Sequence, residues 1–361
     1  MTQLAPNPVP DTSRSGLRTE APPLPRLDPI TRLPILVLYP HNRCNCRCAM
    51  CDIWKITTKD ELSEDDFRTW LPQWRKLGVE RVLLSGGEPL LHSQLRGICT
   101  LLRDAGIGIS IHSTGLLLER DAALLAEFVD DVVVSLDGPE AIHNQIRNIP
   151  RAYAKMARGI AALREVAPEI NLSARSTVHR ANYRHLRRTV AAAHDLGVDR
   201  ISFLAVDIAT DAFNRADGWD EQKIEDISLH PDDLPLLEAE IAALERDCAE
   251  DFSNDFISES PAKLRRRLLQ YYRALLGSGD FAPLNCNAPW VSSVIETDGT
   301  VRPCFFQPPL GNLYQAGDLE AILNSPAAIR WRRGLDTHRD AICRQCVCSL
   351  TLRQGQQEIS P

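Results

Sequence analysis

No apolar run in this chain approaches the ~20 residues needed to cross a bilayer; the longest, such as Ile35 to Tyr39, have the length of a strand. The amino terminus lacks the apolar core of a secretory signal. Basic residues are not in surplus: 41 Lys and Arg stand against 48 Asp and Glu, a net charge of −7. No broad cationic face is therefore available to neutralise phosphates. No segment repeats at a fixed period, which excludes a solenoid. These absences lead to the expectation of a soluble, cytoplasmic protein with no membrane and no nucleic acid among its partners. Cysteine, by contrast, is plentiful. Eleven of them in a reducing compartment are hard to account for as disulfides, which leaves metal or redox chemistry. The 361 residues, 44% hydrophobic and 25% charged, are ordinary globular material, enough for about two domains.

Nine of the 24 prolines fall within the first 40 residues, and no apolar periodicity precedes about Arg26. Residues 1–30 are accordingly expected to form a disordered, Pro-rich arm. From Leu33 onward, β-branched and aliphatic runs predict strands at Ile35 to Tyr39, Arg81 to Leu84, Gly108 to His112, Val132 to Leu136, Asn171 to Val178 and Arg200 to Leu204. Helical patterns separate them, at Glu64 to Leu77, Ser93 to Ala105, Arg120 to Phe128, Ala152 to Val166 and Tyr183 to Leu196. Such alternation implies an α/β fold with a parallel sheet, and six repeats suit a partial (β/α)6 TIM-like barrel better than the eight-unit one. The barrel is assigned to residues 31–206. An acidic segment and two helices, near Pro231 to Glu250 and Pro261 to Leu276, make a helical bridge over 207–284. A small α+β domain over 285–352, with strand-like Val291 to Glu296 and Thr300 to Pro303 around the Asp298-Gly299 turn, and a tail over 353–361 complete the chain.

Just beyond the first predicted strand lies Cys44-x3-Cys48-x2-Cys51. Three cysteines at these offsets arise by chance in about one such chain in a hundred. Three thiolates on one short loop can hold a 4Fe-4S cube by three corners, leaving the fourth iron open to bind something. A structural zinc would need a fourth ligand. Further segments fall at the carboxyl ends of other predicted strands, where barrel active sites are built: Ser85-Gly86-Gly87-Glu88-Pro89 after the second, Ser113 and Thr114 after the third, and Ser135-Leu136-Asp137-Gly138-Pro139 with His143 and Arg147 after the fourth. Arg175 lies on the fifth.

These segments resemble the radical S-adenosylmethionine (radical SAM) enzymes, whose signature is Cys-x3-Cys-x2-Cys in the loop after the first strand of a six-unit barrel. Met50 stands where the family usually has an aromatic residue. The resemblance implies that Cys44, Cys48 and Cys51 hold a 4Fe-4S cluster whose open iron binds S-adenosylmethionine, and that a 5′-deoxyadenosyl radical then abstracts hydrogen from a C–H bond. It implies that Gly86, Gly87 and Glu88 receive the methionine amine, that Ser135 and Asp137 serve the ribose and methionine ends, and that Arg175 meets the methionine carboxylate while Ser113 and Thr114 line the pocket. The Ser135–Arg147 run is similar to that of the anaerobic sulfatase-maturating enzymes. An electron donor of flavodoxin or ferredoxin type is implied as partner.

A second set, Cys286-x12-Gly299-x4-Cys304 followed by Cys343-x2-Cys346, supplies four thiolates, enough to close an iron–sulfur cluster or a zinc knuckle. It resembles the SPASM auxiliary-cluster region in its shortened, single-cluster "twitch" form, which implies a second, auxiliary 4Fe-4S cluster on these four cysteines. Cys348 beside them and Cys248, on the apolar stripe of Leu237, Ile241 and Leu244, are candidate hydrogen-atom donors; Cys99 belongs to a core stripe. The basic residues Lys263, Arg265, Arg266, Arg267, Arg330, Arg332 and Arg333 read as solvated helix faces. Peptide modifiers of this family often carry a leader-binding domain ahead of the barrel. Only the Pro-rich arm stands there, so the expected substrate is a small alcohol, sugar or aminocyclitol, dehydrogenated or epimerised, with a peptide as the alternative and a non-catalytic electron carrier as the third reading.

Overall fold

A computed structural model describes residues 22–215 and 218–354. Its centre is a nine-stranded sheet. Strands β1 (Ile35–Leu38), β2 (Arg81–Leu84), β3 (Gly108–Ser113), β4 (Asp131–Ser135), β5 (Asn171–Val178) and β6 (Arg200–Ala205) follow one another in chain order and all pair in parallel. The expected partial barrel is therefore the observed one. Strict alternation makes it: along β5, Leu172, Ala174 and Val178 are buried in the main core, while Ser173 and Arg175 line the lumen. The longer helices between the strands present apolar stripes to the outer face of the sheet. In Glu64–Lys76 the stripe is Phe67, Trp70, Leu71 and Trp74, and Ser63 and Asp66 close its first turn as a reciprocal capping box.

Three short strands extend the sheet past β1. These are β7 (Ser292–Ile295), β8 (Thr300–Arg302) and β9 (Gly311–Asn312), with β7 parallel to β1 and the rest antiparallel. The small carboxy-terminal domain thus continues the barrel sheet. Its Val291 and Trp290 pack on Ile35, and Val294 packs with Val37 and Leu83, filling the side that six strands leave open. At the other edge, the segment around Ile257 bridges β6 through Ile201, and Tyr271 and Tyr272 donate to the carbonyls of Val206 and Val178. The bridge seals the second edge.

Several expectations are corrected. The helix foreseen over Pro231 to Glu250 is a 3-10 turn, Leu234–Asp247 and then Ala249–Ser253, and that over Pro261 to Leu276 carries a wide π turn at Arg266–Gln270. Residues 22–30 are no loose arm. Leu24 donates to the Leu352 carbonyl, Asp28 pairs with Arg332 at 2.6 Å, and Asn324 brackets the Ile30 backbone. Residues 1–21 and 355–361 lie outside the described residues. Arg332, read as a solvated cation, is 1% exposed, and Arg265 is held by Glu245. No helix among the described residues is long and apolar enough to cross a membrane.

Candidate active site

The chain leaves β1 at Tyr39 and enters the loop that carries Cys44, Cys48 and Cys51. Helix Glu140–Arg147, unforeseen in the sequence, anchors this loop. It ends at Asn148 in the left-handed conformation, leaving terminal carbonyls without intrahelical partners. Two of them, on Ile146 and Arg147, accept the Ala49 and Arg47 N–H groups. From the last turn, the Arg147 guanidinium donates to Cys48 Sγ at 3.4 Å and pairs with Asp137 at 2.6 Å. A hydrogen bond from Cys46 lowers the Cys48 pKa to about 6, against the effect of burial, and Arg147 adds to it. Burial instead pushes the Cys44 and Cys51 thiols up to about 12. A thiolate at either position needs a cation beside it, which an iron cluster supplies. Among the described residues no three Cys, His, Asp or Glu converge closely enough to chelate one ion.

Gly86 and Gly87 open onto a cleft of about 480 Å³ at the carboxyl ends of the strands. Each also packs against the cluster loop. A Cβ at Gly87 would overlap the Arg43 carbonyl, and one at Gly86, whose φ is +90°, would lie 2.8 Å from the Tyr39 ring. The Arg43 carbonyl accepts the Glu88 N–H at 2.8 Å. The two glycines therefore seat the turn on the residue preceding Cys44.

Glu88 differs from its sequence assignment. Its side chain is fully buried, and its carboxylate accepts from Leu90 N–H, Thr114 N–H and the hydroxyls of Ser113 and Thr114, at 2.6 to 3.2 Å. Burial raises its pKa, with these donors working the other way. A carboxylate so surrounded cannot also take an ammonium group; it latches β2 to β3. Ser113 and Thr114 are spent on the latch and do not line the pocket. Replacing Glu88 by Gln turns an NH2 toward groups that are themselves donors. It is expected to cost about 1 to 3 kcal/mol of folding stability, read by chemical denaturation in the absence of S-adenosylmethionine. Unchanged stability with weakened cofactor binding would return Glu88 to the cofactor.

Asp137 is likewise 0% exposed. It accepts the Thr177 N–H at 3.3 Å and faces Arg147, so it steadies the arginine on Cys48 and does not reach a ribose. Burial raises its pKa, opposed by Arg147. His143, also buried, is held neutral by burial, its pKa near 3, and its Nδ1 accepts the Asp137 N–H. Ser135 stays half-buried at the end of β4, in register with Arg175.

No motif or spacing points to His41. Its Nδ1 accepts the Arg43 N–H at 2.9 Å, which leaves the proton on Nε2 to reach the Glu88 carbonyl at 2.8 Å. Burial lowers its pKa to about 4. His41 is thus a neutral clamp between the cluster loop and the glycine turn.

The second cysteine set meets in one cavity of about 920 Å³, lined by Cys286, Cys304, Cys343, Cys346 and also Cys348. Burial raises the first four, Cys304 and Cys343 to about 12, the same chemical fit to bound iron. Gln307 donates to Cys343 Sγ at 3.3 Å, and the Cys348 N–H to Cys346 Sγ at 3.4 Å. Phe305 lines both this cavity and the cleft. Its ring lies 6.1 Å from that of Tyr39, whose buried hydroxyl has Glu296, Cys51 and Cys348 around it. An aromatic wall separates the two thiol sets. Cys248 is apart from both, at the half-exposed end of Leu234–Asp247 beside Asp251 and Arg187; it faces neither cavity, so the hydrogen-donor role falls away. Cys99 is a core residue, as expected.

Comparison with known proteins agrees with this arrangement. A model of the radical SAM superfamily matches residues 38–193, and one of an iron–sulfur cluster-binding domain matches 286–347. The chain is 26% identical over 174 residues to Fe-coproporphyrin III synthase of Methanosarcina barkeri, covering 47% of this chain and 43% of the synthase. It thus spans under half of that relative. It is 25% identical over 347 residues to the PqqA peptide cyclase of Ruegeria pomeroyi, covering 91% of this chain and 82% of the cyclase. Among solved structures, SuiB of Streptococcus suis bound to S-adenosylmethionine superposes with a TM-score of 0.62 at 15% identity, over 88% of this chain and 72% of SuiB. The AdoMet-bound anSMEcpe structure gives 0.63 at 18%, over 89% and 91%. At these identities the likeness is one of fold.

Proposed function

Because the chain belongs to the radical SAM superfamily and ends in an iron–sulfur cluster-binding domain, we propose that it modifies a peptide, rather than the small alcohol or sugar that its sequence suggested. Its cofactors are S-adenosylmethionine, a 4Fe-4S cluster and an auxiliary iron–sulfur cluster. The observation that carries the peptide reading is the cleft. It is open, about 480 Å³, and walled by four separate segments: the cluster loop through Asp60, the glycine turn, Asp211 to Asn214, and the hairpin at Glu296 to Arg302. Small-molecule sites enclose most of their ligand, whereas a trough left open between four segments suits an extended chain. The relative aligned over nearly the full length of the chain is a peptide cyclase, which supports the same reading.

When bound, the cluster and S-adenosylmethionine supply the hydrogen abstraction, and the protein supplies placement. Cys46, together with Arg147 fixed by Asp137, favours the thiolate of Cys48. Gly86 and Gly87 offer backbone to the methionine end, Glu88 and His41 keep that turn rigid, and Ser135 offers its hydroxyl at the ribose end. Tyr39 and Phe305 separate the reacting carbon from the auxiliary thiols. A flavodoxin- or ferredoxin-type donor delivers the electron.

The test is 5′-deoxyadenosine formation by the reconstituted, anaerobically reduced protein. Synthetic peptides encoded beside its gene would be compared with a panel of sugars and aminocyclitols. Stimulation by a peptide is the expected result. Stimulation confined to the sugar panel would reinstate the small-molecule reading, and no 5′-deoxyadenosine under any condition would favour a pure electron carrier.

A further inference from the structure

Arg175 projects from β5 into the lumen, where it lines the cavity of the second cysteine set and not the cleft. Its hydrogen bond is to a neutral group: Nε donates to Ser202 Oγ at 3.3 Å. The carboxylate within electrostatic reach, Glu259, is fully buried and already accepts the Phe203 N–H at 3.0 Å and Arg267 at 3.3 Å. Burial works against the Arg175 charge, and Cys348 and Glu259 are what favour it. A guanidinium left half-buried with only a hydroxyl is costly unless an anion stands near. A cubane held by four thiolates is such an anion, and the cavity wall opposite Arg175 carries five cysteines. The two unpaired charges answer each other.

We propose that Arg175 is the counter-charge of the auxiliary cluster and sets its reduction potential. The proposal rests on that cluster being held at these thiols. Reduction adds a negative charge, which a fixed cation stabilises, so Arg175 raises the potential and makes the cluster a better electron acceptor. This differs from a role on the methionine carboxylate, which would leave the auxiliary cluster indifferent to Arg175.

Potentiometric titration followed by electron paramagnetic resonance, on the reconstituted holoenzyme, tests this. Arg175→Gln is expected to lower the auxiliary potential by about tenfold in the reduction equilibrium, or about 59 mV for one electron, with the catalytic cluster unmoved; Arg175→Lys should retain most of the wild-type value. Loss of auxiliary iron in the Gln variant but not in the Lys variant would also support a charge requirement. An unchanged auxiliary potential in a fully loaded Gln variant overturns the proposal, as does loss of iron in both variants. Weakened S-adenosylmethionine binding with the auxiliary potential intact moves Arg175 to the cofactor. Iron for one cluster only in the wild type removes the auxiliary cluster itself, and is measured first.

Discussion

Changing Cys44, Cys48 and Cys51 together to Ala is expected to remove about half of the roughly eight irons per chain and all cleavage of S-adenosylmethionine. The auxiliary thiols line a cavity that none of the three β1-loop cysteines lines, so the auxiliary set should still load. The loop itself should hold its place, because its anchors are backbone and histidine contacts that the substitution leaves intact: Arg47 and Ala49 to the end of Glu140–Arg147, and His41 to Glu88. Iron and sulfide assays with chromatographic detection of 5′-deoxyadenosine provide the measurement. Full iron content in the triple variant would sink the cluster assignment. Residual cleavage would overturn it as well, because Cys46 is then the one thiol left in the loop and a single thiol cannot retain a cube.

The strands were legible because parallel, half-buried strands are short aliphatic runs. Arg81–Leu84 and Asn171–Val178 begin and end where their patterns do. The cysteine spacings were equally plain, since ligand sets on short loops are local in sequence. Helix Glu140–Arg147 was hidden because it is only eight residues long and its buried face is His143, Ile146 and Arg147, so two polar side chains stand where an apolar stripe is sought. Glu88 and Asp137 were read as ligand-facing because a carboxylate after a strand of such a barrel usually points at the site. What directs them elsewhere is the rim itself, Ser113 and Thr114 for one and Arg147 for the other, and that geometry has no trace in spacing. The continuity of β1 with β7, whose partners Ile35 and Ser292 are 257 residues apart in sequence, was invisible for the same reason. A domain boundary drawn at 285 from composition falls just ahead of a strand that belongs to the barrel's own sheet.

That shared sheet gives the auxiliary cavity its importance. Cys286 lies ahead of β7 and Cys304 just beyond β8, so the hairpin paired to β1 carries two thiols to the lumen wall, while Cys343, Cys346 and Cys348 come from a separate segment. Replacing those last three by Ala leaves two thiols of five, too few to retain a cube. The expected result is loss of the auxiliary iron, continued formation of 5′-deoxyadenosine, and no modified product. Abstraction depends on the thiols of the β1 loop and on the cleft, which the substitutions do not touch. What the substrate loses is the acceptor behind Phe305 for its remaining electron. If a product still forms, isomeric with the substrate and carrying one deuterium from solvent, the reaction ends by hydrogen return and not by oxidation. Restoring Cys348 alone then decides whether its thiol is the donor: deuterium incorporation that rises with Cys348 present assigns the step to it, and incorporation indifferent to Cys348 assigns it to solvent or another group. A product two hydrogens poorer from the triple variant would overturn the acceptor role, because the electron would then have left without the auxiliary cluster.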